Sequence, residues 1–145
     1  SQIELRAAAV IAEDEVMLEA YREGEDIHSR TAASVLDKPI KKVTKEDRQL
    51  AKAVNFGLLY GQEHGGLVRY AKSSFCVELT YDEAVDLHKK FFDTYKGLAK
   101  WHKQARANAD SKVDEVRTLT GRRKLLPPKS EETFWGSSLK AGAKV

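Results

Sequence analysis

The chain has 145 residues, of which 41% are hydrophobic, a size and composition that suit one ordinary globular unit burying roughly two thirds of its unfolded surface. No apolar run approaches the roughly 20 residues that cross a bilayer, and no segment resembles a signal peptide, so we expect a cytoplasmic protein without a membrane partner. The one cysteine, Cys76, excludes an internal disulfide and a clustered thiolate metal site.

The net charge of +3 conceals two regions of opposite sign. Residues 1–26 hold eight acidic side chains and two arginines, a net charge of −6, so the remaining residues carry +9. Trp101 and Trp135 lie within this basic part of the chain. A basic surface with aromatic residues makes nucleic acid a candidate partner, because neutralised phosphates release counterions. On composition alone, a solvated basic surface without a partner is the commoner explanation.

The first elements are a short strand and a helix. Ile3 and Leu5 alternate with polar residues, which predicts a strand over residues 1–6. Apolar residues near helical spacing then predict one helix over residues 7–24, which ends at Gly24 because glycine is a favoured C-terminal stop.

The next elements lead to the longest motif of the chain. A short helix is predicted over residues 25–37, and Pro39 breaks the pattern. Thr44 and Asp47 have the spacing of a capping box, in which each residue's side chain accepts from the other's backbone N–H. The sequence therefore predicts a helix over residues 45–60.

The second half continues as helices and ends in a hairpin. A short helix is predicted over residues 67–75, and a second capping box, Thr80 with Glu83, opens an aromatic-rich helix that is interrupted near Gly97. Residues 116–126 have the β-branched content and central glycine of a β-hairpin, which the two following prolines end. The predicted fold class is therefore mainly α, with a short strand at the N-terminus and a β-hairpin near the C-terminus.

The helix predicted over residues 45–60 carries an unusual stripe. Arg48, Lys52, Phe56 and Tyr60 are spaced four apart and share one face about 18 Å long at 1.5 Å per residue. An aliphatic row, two residues out of phase, lies on the opposite face, where it would meet the core. Two cations followed by two aromatic rings suit a ligand with an anionic end and a flat end, such as a nucleoside triphosphate. The alternative is a helix buried on both sides whose cations extend to solvent.

The sequence around this stripe, "RQLAKAVNFGLLYG", resembles the fingers-helix motif of family A DNA polymerases, the bacterial DNA polymerase I type. "SQIELR" and "GEDIHSRTA" resemble the first palm motif and the segment after it, and "TLTGRRKLLPP" is similar to the palm-side segment after the fingers. The resemblance covers essentially the whole chain. It implies a palm edge over residues 1–12, helical fingers over residues 13–110, and a hairpin with the start of a palm-side helix over residues 111–145.

The resemblance also implies roles around the incoming deoxynucleoside triphosphate. Arg48 and Lys52 would bind the triphosphate together with His28, and Lys52 would be catalytic by protonating the pyrophosphate leaving group. Phe56 would pack on the sugar and base. Glu4 would be the steric gate that excludes a 2′-hydroxyl.

Further residues are implied to contact the DNA primer-template. Tyr60 and Gly61 would guard the template position, and Gln2 would contact the primer or the minor groove. Arg122 and Arg123 would contact the nucleic-acid backbone, although a solvated hairpin tip explains them nearly as well.

The resemblance places the catalytic magnesium ligands outside this sequence. It therefore implies a fragment, inactive alone, of a monomeric DNA polymerase from a bacterial or phage-infected cell, with Mg²⁺ as the cofactor of the full-length enzyme. Two other functions remain open from the residues: a non-enzymatic helical nucleic-acid-binding module, and a relative of the single-subunit RNA polymerases.

Overall fold

The computed structural model describes residues 2–110, 115–117 and 120–125. The chain divides into two units, residues 1–102 and residues 103–145. The α-helices of the described residues are α1 (Gln2–Ile11), α2 (Glu15–Arg22), α3 (Ile27–Val35), α4 (Lys45–Leu59), α5 (His64–Phe75), α6 (Tyr81–Thr94) and α7 (Lys96–Asp110). A single 3-10 turn, Ile40–Lys42, follows Pro39. The predicted mainly α class is confirmed.

The predicted N-terminal strand is wrong, because α1 begins at Gln2. Leu5, Ala8 and Ala9 are buried at the three- and four-residue spacing of a helix, whereas Ile3 is 71% exposed. Two apolar residues in alternation are too few to establish a period of two, and the alanines that follow favour a helix.

The helix predicted over residues 7–24 is interrupted. Glu13 has φ +50°, and Asp14 is the N-cap of α2, where its Oδ1 accepts from Met17 N at 3.1 Å. The other oxygen of Asp14 accepts from Leu98 N at 3.0 Å, so one buried carboxylate satisfies donors of α2 and α7. Gly97 permits this approach, since a Cβ there would lie 2.6 Å from Asp14 Cα.

Both predicted capping boxes are confirmed. Asp47 N donates to Thr44 Oγ1 at 3.1 Å, and Thr44 N donates to Asp47 Oδ2 at 3.0 Å. Thr80 and Glu83 exchange the corresponding bonds at the start of α6. The break after α6 lies at its C-cap, Tyr95, shortly before the predicted position.

The core of the first unit forms around α4, which contacts α1, α3, α5 and α6. The aliphatic row consists of Leu50, Val54 and Leu58; Val54 and Leu58 are fully buried, as expected, and Leu50 is half-buried. The largest fully buried side chains around them come from several helices: Leu5, Met17, Ile27, Leu67, Phe91, Tyr95 and Leu98. Since helices pack on α4 from several sides, its last two turns are buried all round.

The second unit contains the predicted hairpin within residues 115–125. β1 (Glu115–Arg117) and β2 (Arg123–Leu125) pair antiparallel, with Glu115 opposite Leu125 and Arg117 opposite Arg123. Gly121 has φ +84° in the connection, a conformation that favours glycine. The predicted stop at residues 127–128, Trp135 and the predicted palm-side helix lie outside the described residues.

Within the described part of the chain, no helix combines the length and the apolar character that crossing a membrane requires.

Candidate functional site

An open cavity of about 520 Å³ lies along α4 in the first unit. Its size is within the range typical of small-molecule sites. The lining residues come from α1, α3, α4 and α5: Gln2, Glu4, His28, Arg48, Lys52, Phe56, Tyr60, Tyr70 and Phe75. The four members of the α4 stripe therefore face one cavity, together with three residues that the sequence placed beside them.

The stripe changes in character along α4. Arg48 and Lys52 are half-buried, Phe56 is 9% exposed, and Tyr60 is 43% exposed. Arg48 follows the capped first turn closely, where helix N-termini favour anions. The alternative of a helix buried on both sides is thus correct for the last turns of α4, but the cations and rings of the stripe still open onto the cavity.

Arg48 forms a bidentate ion pair that the sequence did not predict. Its Nε and Nη2 donate to the two oxygens of Asp26 at 2.8 and 3.0 Å. Asp26 is also the N-cap of α3, where it accepts from Ser29 N at 2.9 Å. Burial by itself would raise the pKa of Asp26, but the hydrogen bonds from Arg48 and Ser29 outweigh it and hold that pKa well below its usual range.

His28 is buried beside this ion pair. Its ring centroid lies 5.9 Å from that of Phe56, and its Nδ1 is 2.9 Å from Asn55 Nδ2. Burial lowers the pKa of His28 to about 4; Asp26 opposes the shift, and the cations of Arg48 and Lys52 add to it. The imidazole is therefore neutral at physiological pH.

Another part of the cavity lining combines an acid with phenols. Burial, followed by a hydrogen bond with Glu4, raises the pKa of Tyr60. Burial and the charge of Glu4 also raise the pKa of Tyr70. Because Glu4 favours the protonated phenols, this wall presents one carboxylate and two hydroxyl groups, with the Gln2 amide beside them.

Sequence reasoning missed Tyr70 and Phe75, whose rings are in edge contact with centroids 5.6 Å apart. Gly57 allows this part of α5 to lie close to α4, since a Cβ there would be 3.3 Å from Tyr70 Cδ1. The glycine at position 57 of a buried helix was the available signal for a close approach.

The remaining predicted residues lie elsewhere in the described chain. Gly61 follows the C-cap of α4 with φ +73°, near His102 rather than on the cavity wall. Arg122 precedes β2 of the second unit. Arg123 Nη1 lies 3.7 Å from Glu115 Oε2 across the hairpin.

The family model for DNA polymerase family A matches residues 1–140. The chain belongs to this family. The match therefore answers, at the level of the family, the question that the residues alone left open among three kinds of nucleic-acid-associated protein.

Individual relatives agree with this assignment. The chain is 46% identical over 124 residues to DNA polymerase I of Aquifex aeolicus, covering 85% of this chain and 22% of the relative. It is 38% identical over 127 residues to DNA polymerase I of Pseudomonas aeruginosa, covering 88% of this chain and 13% of the relative. The chain thus spans less than a quarter of the length of either relative.

A solved structure shares the fold. It is the POL domain of Pol1 from M. smegmatis in complex with DNA primer-template and dNTP, with a TM-score of 0.77 and 31% sequence identity. The match covers 98% of this chain and 24% of that chain. The helical arrangement around α4 is therefore one that occurs within a family A polymerase domain.

The described residues do not fit a magnesium centre. Among them, no group of three or more histidine, cysteine, aspartate or glutamate side chains is placed to hold a metal ion. The cavity contributes a single carboxylate, Glu4, whereas Mg²⁺ prefers several oxygen ligands.

Proposed function

We propose that this chain is the nucleotide-selecting part of a DNA-directed DNA polymerase, and that its cavity binds the incoming deoxynucleoside triphosphate beside a DNA primer-template. The observation that carries the proposal is the convergence of Gln2, Glu4, His28 and the α4 stripe on one cavity. Three separate segments of the family motif supply these residues. The solved relative was bound to DNA primer-template and dNTP, which supports the same ligands here.

The cationic end of the cavity suits the triphosphate. Lys52 is a point charge that binds phosphate oxygens and, as the proposed catalytic residue, donates a proton to the departing pyrophosphate. Arg48 binds phosphate through the Nε and Nη2 hydrogens that now bind Asp26. Phosphate binding therefore replaces one bidentate oxyanion with another. His28 adds a hydrogen bond to a phosphate oxygen.

The aromatic end suits the sugar and base. Phe56 offers a ring face to the deoxyribose and base, and Tyr60 limits the template position at the end of α4. Glu4 occupies the space that a 2′-hydroxyl would need, held there by its bond to Tyr60. Ribonucleotides are thereby excluded at the sugar rather than at the base.

The remaining roles complete the polymerase proposal. Gln2 contacts the primer or minor groove, Gly61 borders the template, and Arg122 and Arg123 contact the DNA backbone. Residues 1–12 form a palm edge, residues 13–110 the fingers, and residues 111–145 a hairpin leading to the palm. Closure of the fingers over a matched nucleotide selects it. The complete enzyme works as a cytoplasmic monomer with Mg²⁺, whose ligands lie outside the described residues.

Replacement of Lys52 by alanine in the complete polymerase that carries this chain tests the proposal. We expect kcat/KM for nucleotide incorporation to fall by about 100-fold or more, the loss typical of removing one group that stabilises developing charge. Lys45→Ala is the matched control, because Lys45 is exposed at the start of the same helix and does not line the cavity. Equal activities of the two variants would contradict the proposal.

A further inference from the structure

A buried chain of hydrogen bonds leads from the core to the cavity. The Tyr95 hydroxyl lies 2.8 Å from Thr31 Oγ1, which lies 2.9 Å from Asn55 Oδ1. Asn55 Nδ2 then lies 2.9 Å from His28 Nδ1. The first three residues are fully buried and His28 is 3% exposed, so these groups rely on one another rather than on water.

Counting hydrogens gives the direction of the bond between Tyr95 and Thr31, and the orientation of the Asn55 amide gives the others. Thr31 has a single hydroxyl hydrogen, which Ile27 O at 2.8 Å and Asn55 Oδ1 at 2.9 Å share, so the Tyr95 hydroxyl is the donor to Thr31. Burial raises the pKa of Tyr95 to about 12, which keeps that donor protonated. With its oxygen engaged by Thr31, Asn55 turns its NH₂ group to His28.

The bond from Asn55 determines the tautomer of His28. Because Nδ1 accepts from Asn55, the hydrogen of the neutral ring must be on Nε2. Nδ1 is directed into the core, so Nε2 is the ring nitrogen left for the cavity that His28 lines. A hydrogen on Nε2 can be donated to an oxyanion, whereas a lone pair there would repel it.

We propose that Asn55, oriented by Thr31 and Tyr95, is a positioning residue that holds His28 as the neutral Nε2–H tautomer for donation to a phosphate oxygen. This inference rests on the proposed function only for the identity of the oxyanion, a nucleoside triphosphate. Asn55 does not line the cavity. It acts through His28.

The charged groups around His28 explain why a fixed tautomer is needed. Asp26 lies at the start of its own helix, and Arg48 and Lys52 face it from α4. Glu4 of α1 lines the same cavity as His28. The Tyr95 phenol is linked to His28 through Thr31 and Asn55. Arg48 and Lys52 disfavour a third cation, so a neutral N–H is the form in which the ring can still donate.

The tautomer itself can be measured without any nucleotide. In the ¹⁵N-labelled chain, long-range ¹H–¹⁵N correlation spectra at pH 7 distinguish the two ring nitrogens of His28. We expect a protonated Nε2 and an unprotonated Nδ1, and a protonated Nδ1 would overturn the inference. Thr31→Val keeps the side-chain volume but removes the hydroxyl that donates to Asn55 Oδ1. The Asn55 amide should then be free to rotate, and His28 should give a mixture of tautomers. An unchanged single tautomer in that variant would also count against the network.

Asn55→Asp then tests the link to the ligand. The carboxylate accepts a hydrogen from Nδ1, so Nε2 donates only when the ring takes a second proton. We expect the affinity of this variant for deoxyadenosine triphosphate, relative to wild type, to rise about tenfold as pH falls through the pKa of His28 in the variant. A tenfold change corresponds to about 1.4 kcal/mol, which is near the lower end for a hydrogen bond to a charged group. Dividing by the wild-type affinity at each pH cancels the titration of the triphosphate.

Controls separate this inference from the proposed function. Asn108→Asp makes the same chemical change at an exposed position of α7 and should give a ratio independent of pH. A pH-independent ratio for Asn55→Asp would reduce Asn55 to a structural residue and overturn the inference. Wild-type chain that binds no triphosphate would instead contradict the proposed function, and the measured tautomer would still decide the role of Asn55.

Discussion

His28 and Arg48 show how single residues acquire their properties from distant parts of the chain. An isolated histidine has a pKa near 6.5, but His28 is buried next to Arg48 and Lys52, and its pKa falls to about 4. Arg48 is held by Asp26, 22 residues away. His28 is therefore fixed before any ligand arrives, which reduces the entropy that binding would otherwise cost. Arg48 instead starts from a pair with Asp26 that the proposed ligand replaces.

The shifted pKa of His28 predicts how stability depends on pH. The unfolded chain takes up a proton on His28 near pH 6.5, whereas the folded chain resists it until about pH 4. The contribution of His28 to the free energy of unfolding is fully present above pH 6.5. As pH falls from 6.5 toward 4, the free energy of unfolding decreases by roughly 3 kcal/mol at most. Chemical denaturation of wild type and His28→Gln across this range measures the difference, and parallel pH profiles would refute it.

The same residues show what the sequence could predict of the site. The family motif identified residues that line the cavity, including Arg48 and His28. It did not identify Thr31 and Asn55, because their partners lie 24 to 64 positions away and depend on how α3, α4 and α6 pack. Many cavity-lining residues are thus visible in a local pattern, whereas the residues that hydrogen-bond to them from the core emerge only from tertiary contacts.

Elements whose ends are encoded locally were predicted well. The capping boxes at Thr44 and Thr80 place the starts of α4 and α6 correctly, because donor and acceptor lie within one turn. The break between α1 and α2 was missed because Asp14 gains its second partner from Leu98 N, 84 positions later. The bond from Leu98 stabilises the interruption at Asp14, and no local sequence pattern indicates that bond.

The packing of α5 on α4 depends on Gly57. A Cβ at that position would lie 2.7 Å from Leu67 Cδ1, and Leu67 is itself fully buried. We expect Gly57→Ala to lower the free energy of unfolding by roughly 1–2 kcal/mol, because overpacking exceeds the gain in helix propensity. Gly65→Ala in α5 is the control: its nearest neighbour is Arg69 Nη1 at 3.7 Å, so it should be neutral or stabilising. Gly57→Ala that stabilised the chain as much as the control would disprove the close approach.

At the scale of the whole molecule, the chain is a family A segment whose proposed nucleotide cavity lies in its helical unit. The charge asymmetry read from the sequence has a counterpart in that cavity, which Glu4 of the acidic region lines together with Arg48 and Lys52. The described residues provide no metal cluster. In the proposed function, this segment selects the nucleotide and the complete polymerase supplies the metal site.

Titration of deoxyadenosine triphosphate into the isotopically labelled chain, followed by NMR, tests most directly whether the cavity binds the nucleotide. The cavity predicts saturable chemical-shift changes at His28, Lys52, Phe56 and Tyr60, which Lys52→Ala weakens and Lys45→Ala does not. Saturable binding whose shift changes lie away from these residues, or no binding by a folded chain at millimolar triphosphate, would contradict the assignment of this cavity as the nucleotide site.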